Sequence, residues 1–348
     1  MPGSFSGGAA FYNPCSAVHL FSGESMKKNI AYMAKTRQRG RTLLELMISI
    51  SIGLVVIGAV FVVYLGTTAS SRQSSANNRI SEDAAIAMAI LGNNLRMAGY
   101  SPPRALFSPG SALVDGVKAV VPDRHYVGPA IRGCDFGFSS AANVAFDLIT
   151  CNPSSNPGPA AFVVRYEGDL FNTIPVLDNP SDPDSGIPSD CLTYKIITPA
   201  ISKYDGTSYK LVESRFSVDT SASNGTPELY CAGSGGAAPF TRQPLMQFVE
   251  NMAISYGIAE DNLGGNVVRY VSQTQLDAIT PGTTDSLWAR VVSVKLCLVL
   301  RSETRDQNGG GNYIDCAGNS VASPNGFIRR SFTSVFALRN RADFSSTF

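Results

Sequence analysis

Apolar residues run almost without interruption through one stretch near the N-terminus and break into short segments nearly everywhere else. From Thr42 to Leu65 the only formal charge is Glu45. The run is about 24 residues long, and roughly 20 apolar residues span a bilayer as a helix. Gly53 and Gly58 lie inside it, which membrane helices tolerate better than soluble ones. Further on, Ile80, Ala84, Ala87, Leu91 and Leu95 recur at spacings of three and four, the signature of an amphipathic helix. The intervening Gly66-Thr67-Thr68-Ala69-Ser70-Ser71 reads as a loosening of the helix at the membrane exit. Ala98-Gly99-Tyr100 ends the pattern, and Pro102-Pro103 forbid its continuation. The expectation is one long helix whose first half lies in lipid and whose second half docks on the sheet that follows.

After Ser101 the periodicity changes. Short apolar runs at 160–166, 192–197 and 209–216 are bounded by Gly, Pro, Asn and Asp and read as strands. Residues 245–257 read as one strand, bent near Asn251, and 267–271 follow a Gly-Gly-Asn turn. Val292, Val294, Leu296, Leu298 and Leu300 share one face at period two. A last strand is expected from Phe332 to Leu338. A sheet with one apolar face needs a cover, and the helix has the stripe to supply it.

Charge orients this plan. Lys27, Lys28, Lys35, Arg37, Arg39 and Arg41 all precede the apolar run, and by the positive-inside rule they keep the N-terminus cytoplasmic and send the rest across the membrane. Glu45 then stands out, because an acid at mid-membrane costs about 2–3 kcal/mol and is by default functional. Two readings remain open: a carboxylate awaiting a partner, or a signal anchor with Glu45 at the headgroup level. The whole chain of 348 residues carries 28 Lys/Arg and 27 Asp/Glu. Residues 1–40 hold five Lys/Arg and one Glu, leaving 23 against 26, a net of −3. That excludes a nucleic-acid footprint, which wants clustered positive charge. Residues 1–25 show no periodicity, and Met26 opens a compact basic leader, MKKNIAYMAKTRQRG, with Met33 opening a shorter one. Residues 1–25 are therefore expected to be a mis-assigned start.

Candidate chemistry is sparse. Cys134, Cys151, Cys191, Cys231, Cys297 and Cys316 all lie on the exported side, where an even count points to disulfides. Fifteen connectivities are possible. Sequential pairing, 134–151, 191–231 and 297–316, closes the shortest loops, and free buried thiols are the alternative. Zinc is disfavoured, since there is no CxxC and only His19 and His125. No GxSxG, HExxH or phosphate loop appears, and Gly309-Gly310-Gly311 is a turn. His125 reads as a surface or packing residue. Asp178, Asp182 and Asp184 form a weak calcium candidate on a loop whose composition equally fits an exposed turn. No enzyme activity and no cofactor are expected.

Gly40 followed by Arg-Thr-Leu-Leu-Glu resembles the leader of type IV pilins and pseudopilins. The resemblance implies cleavage between Gly40 and Arg41 by a prepilin peptidase, methylation of the new N-terminus, and an assembly role for Glu45 against the amine of a neighbouring subunit. Arg41 stands where that family usually has phenylalanine. The strings LRMAGY at 95–100, FVENMAISYGI at 248–258, VVSVKLCLVLRS at 291–302 and FALRNR at 336–341 are similar in content and order to the PilW type of minor pilin. The implied fold is α+β and type IV pilin-like. Its parts are a leader over 1–40, a transmembrane and filament-core helix over 41–65, an amphipathic continuation over 66–100, and a loop-rich antiparallel β domain over 101–348. The implied function is that of a minor pilin in a tip or priming complex supporting assembly, adhesion and twitching. Its partners would be other minor pilins, the major pilin and a tip adhesin, first at the inner membrane with a periplasmic domain and then on the surface pilus. A J-type pseudopilin of type II secretion is the alternative, with a membrane-anchored periplasmic binding protein or enzyme behind it.

Overall fold

The computed structural model describes residues 42–103, 113–114, 117–118, 124–126, 128–140, 143–182, 185–202, 206–260, 265–278, 288, 290–306 and 309–341. Gly40, Arg41 and Asp184 lie outside the described residues. The chain divides into two compact units, one ending at Val62 and one beginning at Val63.

A single helix, α1 (Leu43–Met97), runs for 55 residues. Thr42 caps it. The Glu45 N–H donates to the Thr42 hydroxyl at 3.3 Å and to the Thr42 carbonyl at 3.0 Å, which satisfies a donor the first turn would otherwise orphan. The loosening expected at 66–71 does not occur, and the helix passes through unbroken. Thr67 Oγ1 donates to the Val63 carbonyl at 3.0 Å and Thr68 Oγ1 to the Tyr64 carbonyl at 2.8 Å. The hydroxyls that could compete with the backbone bond back into it instead. The helix stops where Gly99 takes φ 76°, the left-handed position glycine occupies without steric cost.

Among the described residues after the helix, the paired strands are all antiparallel, so the architecture is α+β, the class the sequence predicts. Strands β1 (Ile131–Cys134), β2 (Ala161–Glu167), β3 (Leu211–Thr220), β4 (Pro227–Gly233) and β5 (Arg242–Gln247) form a meander in the order β5-β4-β3-β2-β1. Strands β6 (Val249–Ile258), β7 (Arg269–Val271), β8 (Val291–Arg305) and β9 (Phe327–Ala337) form a second sheet in the order β7-β6-β8-β9. The helix end is stitched to β2: the Gly99 N–H donates to the Arg165 carbonyl at 2.8 Å and the Glu167 N–H to the Tyr100 carbonyl at 2.7 Å. Ile80, Ala84, Ala87, Leu91 and Leu95 are all buried, joined by Gly92 and Ala98. They share one core with Phe162, Phe216 and Leu229 of the first sheet and with Leu296, Leu298 and Phe336 of the second. A Cβ on Gly92 would stand 2.4 Å from the Phe336 ring, so helix and sheet meet there at a distance only glycine permits.

Several strand expectations need correction. Residues 245–257 are not one bent strand but parts of two strands in different sheets. The chain changes sheet at Phe248, held at φ 66°. Its N–H donates to the Pro227 carbonyl of β4 at 2.7 Å and its carbonyl accepts the Arg301 N–H of β8 at 3.0 Å. On β8 the buried face at period two contains Val294, Leu296, Leu298 and Leu300, but Val292 is the extra residue of a bulge and Val291 joins the core in its place. Residues 192–197 form no strand, only the isolated bridge between Ser189 and Lys195. Thr193 sits at φ 61°, and the Asp190 carboxylate accepts the Leu192 and Tyr194 N–H groups at 2.9 and 3.0 Å, which turns the chain.

Strands β1 and β4 had no counterpart among the expected strands, and a short helix was also unforeseen. The short helix α2 (Gln273–Ala278) opens with reciprocal bonds between Ser272 and Gln275 and buries Leu276. Ser-x-x-Gln is a capping box, so its signal was present.

Three disulfides tie the loops down. Cys134 is bonded to Cys151, Cys191 to Cys231 and Cys297 to Cys316, with Cα separations of 5.2, 6.6 and 5.8 Å.

Candidate functional site

The apolar half of α1 carries the most unusual chemistry in the chain. Every large apolar side chain from Leu43 to Leu65 is exposed, with Leu54 at 66% and Val55 at 73%. The segment is long and apolar enough to cross a membrane, and none of its most apolar window is buried in protein. A helix that is apolar all round needs lipid or other helices to cover it. Glu45 stands in its first turn, exposed, and among the described residues its carboxylate has no ion-pair partner. Ser49 and Ser51 return their hydroxyls to the carbonyls of Glu45 and Met47 at 2.7 and 2.9 Å. Glu45 is the one formal charge between Thr42 and Leu65.

Residues 35–61 match the prokaryotic N-terminal methylation motif, which takes in Gly40, Arg41 and Glu45. Residues 215–340 match the family model of the type IV pilus-assembly protein W, from within β3 to the end of β9 and the short turn after it. A type IV-like pilin from Thermus thermophilus is a similar solved structure, at 11% identity and a TM-score of 0.35, covering 76% of this chain and 98% of its own. None of the curated proteins compared with the chain matches it. Residues 215–340, similar to the pilus-assembly protein W family, thus follow an N-terminal methylation motif and a helix long and apolar enough to anchor the chain in a membrane.

The remaining candidates fall elsewhere in the chain. Asp178 is 65% exposed and pairs with Lys195 Nζ at 3.1 Å. Asp182 lies four residues on, in a hairpin tip closed by the Asp178 N–H donating to the Ser185 carbonyl at 2.9 Å. Among the described residues no group of three or more His, Cys, Asp or Glu is placed to hold a metal ion. His125 stacks on Tyr209 with ring centroids 5.7 Å apart, and its Nδ1 lies 2.8 Å from Glu167 Oε1.

Buried and half-buried carboxylates were the feature sequence reasoning missed. Glu167 holds His125 and accepts the Ser101 hydroxyl. Glu213 accepts Arg165 Nε and Arg215 Nε, each at 2.6 Å. Glu250 takes Arg329 on both oxygens and has Arg301 at 3.5 Å. The guanidinium of Arg165 also lies 4.1 Å from the Phe146 ring centre and that of Arg215 4.3 Å from Phe240. The available signal was charged residues at period two inside strands, such as Glu213 and Arg215 on β3. Each network satisfies a buried charge that would be costly alone. They tie strands together, as Arg165 of β2 to Glu213 of β3 and Arg329 of β9 to Glu250 of β6.

Tyr256 is wholly buried and edge-on to Trp288 at 4.9 Å, and burial pushes its hydroxyl well above the ordinary tyrosine range. It occupies the space beside Gly133, where a Cβ would collide with it. This is packing rather than a reactive phenol.

Proposed function

We propose that this chain is a minor pilin made as an inner-membrane precursor, cleaved after Gly40, and built into a type IV pilus through residues 41–65. The single observation that carries the reading is the fully exposed apolar half-helix with one unpaired carboxylate, lying inside a methylation motif. Cleavage would create a cationic amine four residues before Glu45. A neighbouring subunit's amine would then supply the charge that makes an acid tolerable in an apolar setting. Arg41 would be the methylated residue. The disulfide-tied domain would face the periplasm before assembly and the cell surface afterwards. The PilW-type match supports a place among the minor pilins that prime the filament, with the major pilin and a tip adhesin as further partners. Adhesion and twitching would follow from that place, and the role would be structural rather than enzymatic. The same match favours a pilus over a type II secretion pseudopilus.

Two variants test this. Gly40→Val should leave uncleaved precursor, visible as a slower band on a gel, and should abolish surface piliation. Glu45→Ala should insert into the membrane and be cleaved normally yet lower piliation. Normal piliation in the Glu45 variant removes the assembly role, and normal cleavage in the Gly40 variant removes the processing site.

A further inference from the structure

Four strands lie at the edges of the two large sheets: β1 and β5 in the first, β7 and β9 in the second. Natural edges are shortened, bulged or broken by proline, because a row of unpaired N–H and C=O groups recruits foreign strands. Strand β1 has four residues and β7 three. Strand β5 carries Pro244 and lies across a register shift between Leu229 and Tyr230. Strand β9 has none of these devices. It has 11 residues without Gly or Pro, and over 330–337 it pairs with β8 with no register shift.

The register fixes which of its backbone groups are free. The Leu338 N–H donates to the Val292 carbonyl at 2.8 Å, and the bonds of an antiparallel pair alternate along the strand. Phe332, Ser334 and Phe336 therefore bond to β8, whereas Thr333, Val335 and Ala337 turn their N–H and C=O groups outward. The Arg301 N–H agrees: opposite Arg329, it turns away from β9 to the Phe248 carbonyl at 3.0 Å. Among the described residues, no hydrogen bond reaches the outward groups of Thr333, Val335 and Ala337. All three residues are exposed, Val335 at 55%. The hairpin over 312–322 touches the strand only further back, where the Ser331 hydroxyl donates to the Ile314 carbonyl at 2.7 Å.

Outward donors and acceptors at every second residue are matched by another extended backbone, so the occupant is a strand. Charge selects whose. Arg330 precedes the free stretch, Arg339 follows it, and Lys295 stands opposite Val335 on β8. All three are exposed, and among the described residues none has an ion-pair partner. The nearby carboxylates Glu250 and Glu303 are already taken by Arg329 and Arg79. Pairing with a second copy about Val335 would set each Arg339 opposite the other's Ser331 and both Lys295 side chains beside the same two valines, which like charge opposes. An extended segment bearing Asp or Glu completes the ladder and meets the cations together.

We propose that residues 333–337 take up an extended, acidic segment of another protein component of the pilus as a further strand of the second sheet. The proposal rests on the minor-pilin reading above. The test places a photocrosslinking amino acid at position 335 of the full chain in piliated cells and sequences the crosslinked peptides. The expected product is an adduct with a different pilus protein, at a peptide containing Asp or Glu. Adducts with a second copy of this chain, with lipid, with a protein outside the pilus or with nothing overturn the proposal. Thr333→Pro removes an outward N–H and no bond to β8, so it should cut the adduct about ten-fold or more at an unchanged melting temperature. Ser334→Pro, one residue on, breaks the ladder to β8 and should lower the melting temperature. Lys295→Glu combined with Arg330→Glu should cut the adduct as Thr333→Pro does, and it decides the matter should the proline variant not fold. An adduct yield like the parent's in either folded variant overturns the proposal. Gly40→Val separates the two claims. If it abolishes piliation while position 335 of the parent gives no pilus adduct, only the strand site fails. If Gly40→Val is piliated normally, the minor-pilin reading itself fails.

Discussion

The two halves of α1 share one backbone and meet opposite fates. Leu54 is 66% exposed and Leu91 is fully buried. Gly58 has open space around it, whereas a Cβ on Gly92 would strike the Phe336 ring at 2.4 Å. The difference lies in the pattern. From Leu43 to Leu65 apolar residues occupy every side of the helix, so no single surface of the chain's own could cover them. From Ile80 to Leu95 they form one stripe, and two sheets supply its cover. Hydrophobicity all round thus addresses the helix to something outside the chain, and hydrophobicity on one face addresses it to the fold.

The sharpest way to break this comparison is to put the same charge on each half. Leu91→Asp puts a carboxylate at a fully buried core position, and the unit from Val63 should lose its cooperative thermal transition altogether. Leu54→Asp should leave that transition untouched and instead weaken membrane insertion by about 3 kcal/mol, read in an insertion assay. A Leu91→Asp domain that still melts cooperatively would mean the stripe is not core.

A smaller effect separates the halves by redox chemistry. Cys191→Ser with Cys231→Ser opens a loop of 40 residues and should cost about 4 kcal/mol on the chain-entropy account. At roughly 2–4 °C per kcal/mol for a domain of this size, the melting temperature should fall by about 8–16 °C. Residues 42–65 contain no cysteine, so membrane insertion should not change. Chemical denaturation of the double variant beside the parent checks the magnitude.

Glycine substitution refines the contrast further. Alanine is the better helix former by about 1 kcal/mol, so propensity alone would make Gly92→Ala stabilising. Packing reverses the sign, because the added methyl must displace Phe336, and the domain should lose about 1–3 kcal/mol. Gly58→Ala meets nothing and should leave the domain's melting temperature where it was. Equal shifts for the two variants would erase the distinction drawn between the halves.

How far the fold could be read in advance follows from the same physics. The stripe at 80–95 and the helix end at Gly99 were legible because period and capping are local. The long β8 was legible because its buried face repeats at period two. The split at Phe248 was not, since Phe248 reaches φ 66° only because two sheets pull on its N–H and carbonyl. The run at 192–197 looked like a strand because its composition is that of one, but the Asp190 carboxylate and a disulfide to β4 override composition. The methylation motif showed at Gly40 and Glu45 because it is a pattern of contiguous residues. The ion networks around Glu213 and Glu250 did not, since their members come from separate strands and only the fold joins them.

The smallest expected effect concerns the hairpin Asn312–Ile314 and Ser320–Ala322, whose turn contains Cys316. Asp315 Oδ1 accepts the Asn319 and Ala317 N–H groups at 2.8 and 2.9 Å, and Asn319 Nδ2 reaches Oδ2 at 3.4 Å. Those donors, the Asn319 backbone N–H foremost, hold its carboxyl below the ordinary value of 3.8. A carboxylate whose folded-state pKa is depressed adds stability that is complete above its unfolded pKa and is lost as pH falls through the folded one. Asp315→Ala should therefore lower the melting temperature slightly at neutral pH. The gap should stay constant down to about pH 5 and shrink as both proteins are taken below about pH 4. Thermal melts of the two proteins across that range measure it. A gap unchanged in acid would mean that the side chain's shape, and not its charge, organises the turn.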